Sequence, residues 1–363
     1  KSGAPKSLKI GDRIISDESE MAGCFRKCFK EKVEMYEREP NVELISKKLR
    51  DHYGISSDTW NIECISEEVV AKVIDKMPPK MSSGPDGISN RLIKELKWEI
   101  LPILTKIINK SLQEGRFPES WKTSKIVPVH KKGNRSSPDN YRPVALTCTL
   151  GRILEAVVRD QLKRYLEDQN LLPESMCGFR SGKGTVDAIV RITDGIKSQL
   201  VKKRKVMLIC IDGRAAFDLA RADVIIESLR VLGVGDRTLR WFLDYLSERK
   251  QYVQCGGKSS EVWVVNVGVV QGGLISPDLY NVLTLTLGLW NPESETTTYA
   301  DDSGEIVAAD TIEECESAAR HVVRGIAEWY ESVGLQINPT KSEIMSFGFD
   351  AQELDICGTK VKP

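Results

Sequence analysis

Three aspartates in this sequence stand where a carboxylate either solvates a turn or builds a site. Asp212 follows Val206-Met207-Leu208-Ile209-Cys210-Ile211, six apolar residues behind the basic run Lys202-Lys203-Arg204-Lys205. That pattern reads as a buried strand. Asp301-Asp302 lie between the β-prone run Thr296-Thr297-Thr298-Tyr299-Ala300 and Ile306-Val307-Ala308-Ala309, which predicts a hairpin with two carboxylates at its turn. If the two strands are neighbours, Asp212 and Asp301 converge at one end of a sheet with Asp302 beside them. Adjacent carboxylates repel, and a hard divalent cation with oxygen ligands, Mg²⁺ first, is the usual compensation. Two such ions a few ångströms apart can activate a 3′-hydroxyl, hold a triphosphate and stabilise departing pyrophosphate. An Asp pair in a turn, taken singly, is more often solvent-facing. Joined to Asp212 and to a separate basic region, the metal-binding reading is the stronger one.

The rest of the chain must position these groups. It has 363 residues, 41% hydrophobic and 29% charged, a folded composition with room for two or three domain-sized units. No apolar run approaches the ~18 residues of a membrane-spanning helix. Nine cysteines, an odd number, argue against a disulfide framework and for a reducing compartment, and three histidines leave little for a zinc site. The 52 basic side chains cancel the 52 acidic ones, yet residues 90–210 hold 24 basic and 12 acidic, net +12, leaving 28 against 40 elsewhere. One part therefore suits a polyanion. The first residue is Lys and no signal or lipidation pattern opens the sequence, so it reads as a piece of a longer product.

Helical periodicity is expected over 20–36, with Met21, Cys24, Phe25, Cys28 and Phe29 on one face, then from Ser66 to before Pro78, over 90–114, 151–168, 185–201 and 312–333. Ile126–His130 and Tyr141–Leu146 predict a hairpin whose tip, Lys131-Lys132-Gly133-Asn134-Arg135, is basic; between residues 122 and 142 six Lys or Arg face one acid, Asp139. Near the end, Ile344–Gly348 and Ile356–Lys360 predict a further hairpin.

Tyr299-Ala300-Asp301-Asp302 resembles the signature of reverse transcriptases, and further motifs follow that family's order. Asp212 with Ala216-Phe217-Asp218 resembles the first palm motif, Gly268–Gly272 with Ser276-Pro277 the second, and Gly334–Lys341 the lysine-bearing segment after the Asp pair. Ser83-Gly84-Pro85-Asp86-Gly87, the Lys131–Pro143 stretch and Gly178-Phe179-Arg180 resemble fingers motifs of non-LTR (LINE-type) retrotransposon enzymes. Seven ordered motifs spanning residues 66–363 are far more specific than any one of them.

The resemblance implies an α/β (α+β) right-hand polymerase fold: an antiparallel palm sheet backed by helices, with a mixed helical and hairpin fingers subdomain. On that pattern residues 1–68 are an N-terminal extension, 69–155 the first part of the fingers, 156–218 the first part of the palm, 219–271 an excursion, and 272–363 palm with a primer-contacting hairpin. A thumb and an endonuclease domain of the parent polyprotein are expected to lie outside this sequence. Asp212, Asp301 and Asp302 would bind two Mg²⁺ ions, with Mn²⁺ as an alternative. Arg142 and either Lys131 or Lys132 would embrace the triphosphate. Phe217 occupies the steric-gate position under the nucleotide sugar, its plain alternative being a core phenylalanine. Gln271 and Gly272 would lie against nucleotide and template. Lys341 would be the general acid for pyrophosphate, or an exposed turn lysine. Arg180 and Asp218 fit family positions and fit salt bridges equally well. Gly213-Arg214, Val270 and Gly273 depart from the family pattern. The expected activity is RNA-directed DNA synthesis with an RNA template, a DNA primer or nicked target DNA, and dNTPs, in nuclear and cytoplasmic ribonucleoprotein rather than outside the cell. The rival reading is a decayed or domesticated nucleic-acid-binding remnant, whose mark would be a lost carboxylate; all three are present.

Overall fold

The apolar run that ends in Asp212 forms the strand Lys205–Asp212, hydrogen-bonded on both sides in a four-stranded antiparallel sheet. The computed structural model describes residues 5–54 and 59–363. The chain divides into two compact units, one made of Lys1–Met35, Asp58–Tyr165 and Gly233–Ser276, the other of Tyr36–Ser57, Leu166–Leu232 and Pro277–Pro363. The first carries 32 basic against 23 acidic side chains, net +9, and the second 20 against 29, net −9.

In the second unit the sheet order is Glu343–Phe347, Lys205–Asp212, Asp302–Ala309, Glu295–Tyr299. The helix Thr185–Val201 covers one face, where Ile192 and Ile196 pack on Val206, Leu208, Cys210 and Ile306. Gly195 permits that approach, because a Cβ there would stand 2.6 Å from the Ile306 side chain. The helix Ile312–Ser332 packs on the same two central strands, burying Cys315, Ala319, Val322, Val323, Ile326, Trp329 and Tyr330. Cover on both faces explains why the central strand reads as a continuous apolar run instead of an alternating one. Thr311 begins the long helix with a reciprocal capping box to Glu314.

In the first unit Thr123–His130 pairs antiparallel with Tyr141–Thr147 and parallel with Arg249–Cys255, which also pairs with Lys258–Ser259 and Trp263–Val265. The helix Glu18–Tyr36 lays Met21, Ala22, Phe25 and Phe29 on this sheet against Ile126, Tyr141, Ala145 and Val253. Helices Glu67–Lys76, Asn90–Glu95, Lys97–Glu114 and Asp236–Leu246 and most of Thr149–Asp168 belong to the same unit. Residues 90–114, read as one amphipathic stretch, are two helices that meet at Leu96.

One expectation is corrected. Residues 344–348 and 356–360 do not pair with each other. Register Ile356↔Thr359 leaves Cys357 and Gly358 as a two-residue turn, both at positive φ (50° and 82°), so Leu354–Ile356 closes locally on Thr359–Val361. Glu343–Phe347 instead adds to the sheet edge, with Ile344 opposite Ile209.

Among the described residues no helix is long and apolar enough to cross a membrane. Phe25, fully buried and edge-on to Tyr141 at 4.9 Å, anchors its helix on the sheet. Phe25→Ala should therefore cost about 3–5 kcal/mol of stability, read as a lower urea midpoint with an unchanged m-value; an unchanged midpoint would show that the helix contributes nothing to this core.

Candidate active site

The three aspartates meet through strand register. Asp302 is the Cα partner of Asp212 across the two central strands and of Tyr299 across the hairpin, so Ala300 and Asp301 form the intervening turn. Ala300 takes φ +57°, a left-handed conformation that a non-glycine residue holds only when its surroundings fix it. The surroundings are the segment 175–178: Cys177 N–H donates to the Thr298 carbonyl at 2.8 Å and Thr298 N–H to that of Ser175 at 3.0 Å. Gly178 lies so close beneath the turn that a Cβ would stand 2.3 Å from the Ala300 nitrogen. Its carbonyl accepts from Asn281 Nδ2 at 3.0 Å. The glycine of Gly178-Phe179-Arg180 thus supports the aspartate turn, and Arg180 is held by Glu167 and by the carbonyls of Leu172 and Pro173.

Asp212 receives Lys341 Nζ at 3.2 Å and Asn338 Nδ2 at 3.0 Å on the same oxygen, while its backbone carbonyl accepts from Asn338 N–H at 2.7 Å. Asn338 was not singled out by sequence reasoning; its presence in Gly334–Lys341 was the available signal. Burial pushes the Asp302 carboxyl above the usual range, Asp301 and Asp212 push it further, and Lys341 opposes them. Beneath the three carboxylates lie the buried phenols of Tyr280 and Tyr330, both raised first by burial and then by these negative charges. They stay protonated, which lets the site keep its negative charge at the aspartates alone.

Phe217, two residues beyond Ala215 (φ +46°), is half-buried on the short helix Ala216–Leu219. Its ring stacks on Tyr280 at 4.5 Å and meets Phe179 edge-on at 6.1 Å. Arg214, one of the departures from the family pattern, turns to the Ile337 carbonyl, the Tyr36 hydroxyl and the Tyr36 ring face. Gly213 fits beside Tyr330, whose ring would lie 3.2 Å from a Cβ.

The first unit gathers a different set. Val129 faces Arg142 at the end of the hairpin, and Lys131 and Lys132 are exposed in the turn beyond it. That turn is built: Gly133 takes φ +81°, and Asn134 accepts from Ser136 and from Asn140. Farther along the same strand, Ala145 N–H donates to the Gln271 carbonyl at 2.8 Å, and Gly272, at φ +113°, leaves no room for a Cβ beside the Ala145 carbonyl. Arg142, Gln271 and Gly272 therefore lie along one strand, next to the basic turn.

Among the described residues no three His, Cys, Asp or Glu side chains already stand as a ready-made cation cage. The donor set still fits hard divalent ions. Asp212 and Asp302 pair by register with Asp301 in the adjoining turn, the Asp302 carboxyl is pushed up first by burial and then by the other two, and the Lys341 ammonium is the counter-charge beside Asp212.

The chain matches the family described as "Reverse transcriptase (RNA-dependent DNA polymerase)" over residues 129–361. It is 27% identical over 346 residues to "Probable RNA-directed DNA polymerase from transposon BS" of Drosophila melanogaster, covering 92% of this chain and 37% of that protein. It is 27% identical over 294 residues to "RNA-directed DNA polymerase from mobile element jockey" of the same species, 79% of this chain and 32% of that one. To "Retrovirus-related Pol polyprotein from type-1 retrotransposable element R2" of Popillia japonica it is 23% identical over 306 residues, 82% and 41%. The chain thus spans between about a third and two fifths of these relatives' lengths.

The raised Asp302 carboxyl sets a sign for pH. Its folded-state pKa lies above the unfolded value, so the ionised group opposes folding; that opposition is absent below the unfolded pKa and complete above the folded one. Mg²⁺ should raise the melting temperature at pH 7, and the shift should shrink as pH falls through the carboxylate range. Asp302→Asn should melt higher than the parent in EDTA and respond less to Mg²⁺. A Mg²⁺ response that ignored both pH and this substitution would place the ion elsewhere.

Proposed function

This chain belongs to the reverse transcriptase (RNA-dependent DNA polymerase) family, and on that premise we propose that it extends a primer 3′-hydroxyl with dNTPs on an RNA template, as part of a non-LTR retrotransposon protein. The single observation that carries the reading is the Asp302↔Asp212 register with Asp301 in the adjoining turn, over buried phenols. We read the second unit as the palm of a right-hand polymerase and the first as the source of its fingers, the basic net charge of the first suiting a nucleic-acid and triphosphate partner. Nuclear and cytoplasmic ribonucleoprotein is the setting this activity implies.

Asp212, Asp301 and Asp302 would hold two Mg²⁺ ions. Bound there, the ions supply Lewis acidity at the primer hydroxyl and charge neutralisation at the phosphates. The protein's own contributions are separable. Lys341, already at 3.2 Å from Asp212, is a proton donor within reach of the carboxylate site, suited to the departing pyrophosphate. Arg142 offers a planar fork of donors, and Lys131 or Lys132 a mobile ammonium, to the triphosphate. Phe217, backed by the Tyr280 ring, presents a fixed edge to the sugar. Gln271 and Gly272 bring an amide and a bare backbone to the nucleotide and template. The departure at Arg214 does not obstruct the carboxylates, since its guanidinium is engaged by Ile337 and Tyr36. With all three aspartates retained, nothing favours a remnant that has lost turnover.

Primer extension on an RNA template with dNTPs and Mg²⁺ tests this directly. Asp301→Ala/Asp302→Ala should lower kcat by at least ~10²-fold, the scale of removing one preorganised electrostatic group. Equal synthesis by both proteins would expose a contaminant, and synthesis by neither would sink the assignment. Phe217→Ala should relax discrimination against ribonucleotides by roughly 10²-fold, the scale at which a site rejects an added hydroxyl. If the variant rejected them as the parent does, Phe217 would be a core residue and not the gate.

A further inference from the structure

The loop that carries Gln271 and Gly272 is tied to a buried ionic cluster that the proposed chemistry does not use. Glu155, on the helix Thr149–Asp168, is fully buried, and its Oε2 accepts the Leu274 N–H at 2.6 Å. Burial pushes the Glu155 carboxyl up, while the Arg249 charge, the Leu274 N–H and Arg152 oppose it; Glu155 Oε1, Arg249 Nη2, the Tyr245 hydroxyl and Ser276 Oγ are buried without a hydrogen-bond partner. Arg249 and Tyr245 are themselves buried. The guanidinium donates to the Tyr245 carbonyl at 2.9 Å and lies over the Tyr245 and Phe117 rings at 4.8 and 5.8 Å. A carboxylate fully removed from water is costly unless it is paired and hydrogen-bonded. Here the compensation includes a backbone N–H of the very loop in question.

The loop is fixed at successive points. The Gln271 carbonyl accepts from Ala145, the Gly272 carbonyl from Arg152 Nη1 at 3.3 Å, and Leu274 N–H is held by Glu155. Gly273 packs directly on the cluster, because a Cβ there would stand 2.7 Å from Ser276 Oγ and 3.0 Å from the Tyr245 hydroxyl. A side chain at this position, one of the departures from the family pattern, would have to displace those groups. We propose that Glu155 is a positioning residue for nucleotide binding. Through its hydrogen bond to the Leu274 N–H it sets the pose of the Gln271-Gly272 backbone. The proposal rests on the reading that this loop meets the nucleotide.

Two readouts separate the proposal from that reading. Glu155→Gln keeps an acceptor for Leu274, whereas Glu155→Met removes it. In single-nucleotide extension by the full chain, Glu155→Met should raise KM for dNTP about tenfold or more, the scale of one charge-assisted hydrogen bond. Its kcat should stay within about twofold, and Glu155→Gln should restore most of the KM on the reasoning that it retains the acceptor. A purely structural role would instead lower the melting temperature and leave KM unchanged. Because Glu155→Met leaves Arg249 buried without its partner, Glu155→Met/Arg249→Met, which removes both charges, is the companion variant should the single one not fold. Hydrogen exchange of the Gly272–Leu274 amides needs no activity. It should be about tenfold faster in the Met variants than in Glu155→Gln, even if the parent extends no primer. Unchanged exchange overturns the tether; faster exchange with an unchanged KM in active protein overturns the link to nucleotide binding.

Discussion

The candidate site depends on one register. Lys205–Asp212 and Asp302–Ala309 are antiparallel neighbours from Asp302↔Asp212 to Ala309↔Lys205, eight consecutive pairs, so the position of the carboxylates is fixed along the whole length of the contact. Side chains alternate across a strand, and a slip of one residue would exchange the faces. Val206 and Leu208 would then leave the side packed by Ile192 and Ile196. The hydrophobic effect acting on strand interiors, far from the aspartates, is what keeps Asp302 opposite Asp212. The chemistry is specified by residues that take no part in it.

That register brings like charges together, and the structure answers with groups drawn from distant sequence. Lys341 and Asn338 arrive some 130 residues after Asp212 and converge on one of its oxygens. Gly178 comes from the other side of the strand and lets its segment lie flat beneath the aspartate turn. Tyr280 and Tyr330 supply buried phenols whose pKa values are raised, by burial first and by the nearby carboxylates after it. The Asp302 carboxyl keeps a raised pKa, from burial first and from Asp301 and Asp212 next, with Lys341 opposing them. A carboxyl perturbed by burial and by specific charged neighbours at a sheet end marks a candidate functional site.

Local pattern made much of this legible. The 3.6-residue period located the helices Glu18–Tyr36, Thr185–Val201 and Ile312–Ser332 nearly to their ends, and the apolar run before Asp212 announced its strand. The pairing of the two aspartate strands was conditional on neighbourhood, which periodicity cannot supply. The same gap hides the partner of Glu343–Phe347: a short alternating strand is equally suited to a local hairpin or to a sheet edge, and the Cys357-Gly358 turn closes Leu354–Ile356 on Thr359–Val361 instead. Arg214 read as a departure with an open consequence because its Tyr36 partner is 178 residues away. Nothing in the local sequence marks Glu155. Among Ile153, Leu154, Val157 and Val158 a glutamate looks like the solvent side of an amphipathic helix, and only the folded chain shows Arg249 and Leu274 meeting it.

Charge provides the last step. Net neutrality conceals two fields, and the sequence segment that seemed to hold the positive one, residues 90–210, does not coincide with a structural unit, since residues 166–210 belong to the acidic one. The units nevertheless come out at +9 and −9. Discontinuous segments are thus sorted so that the triphosphate-binding candidates Arg142, Lys131 and Lys132 share a unit rich in cations, while the aspartates share one rich in anions. Each sorting favours a different ligand: a polyanion in the first case and hard cations in the second. The proposed nucleotidyl transfer calls for both a negatively charged substrate and the ions that neutralise it, and the opposite net charges of the two units suit one of these each.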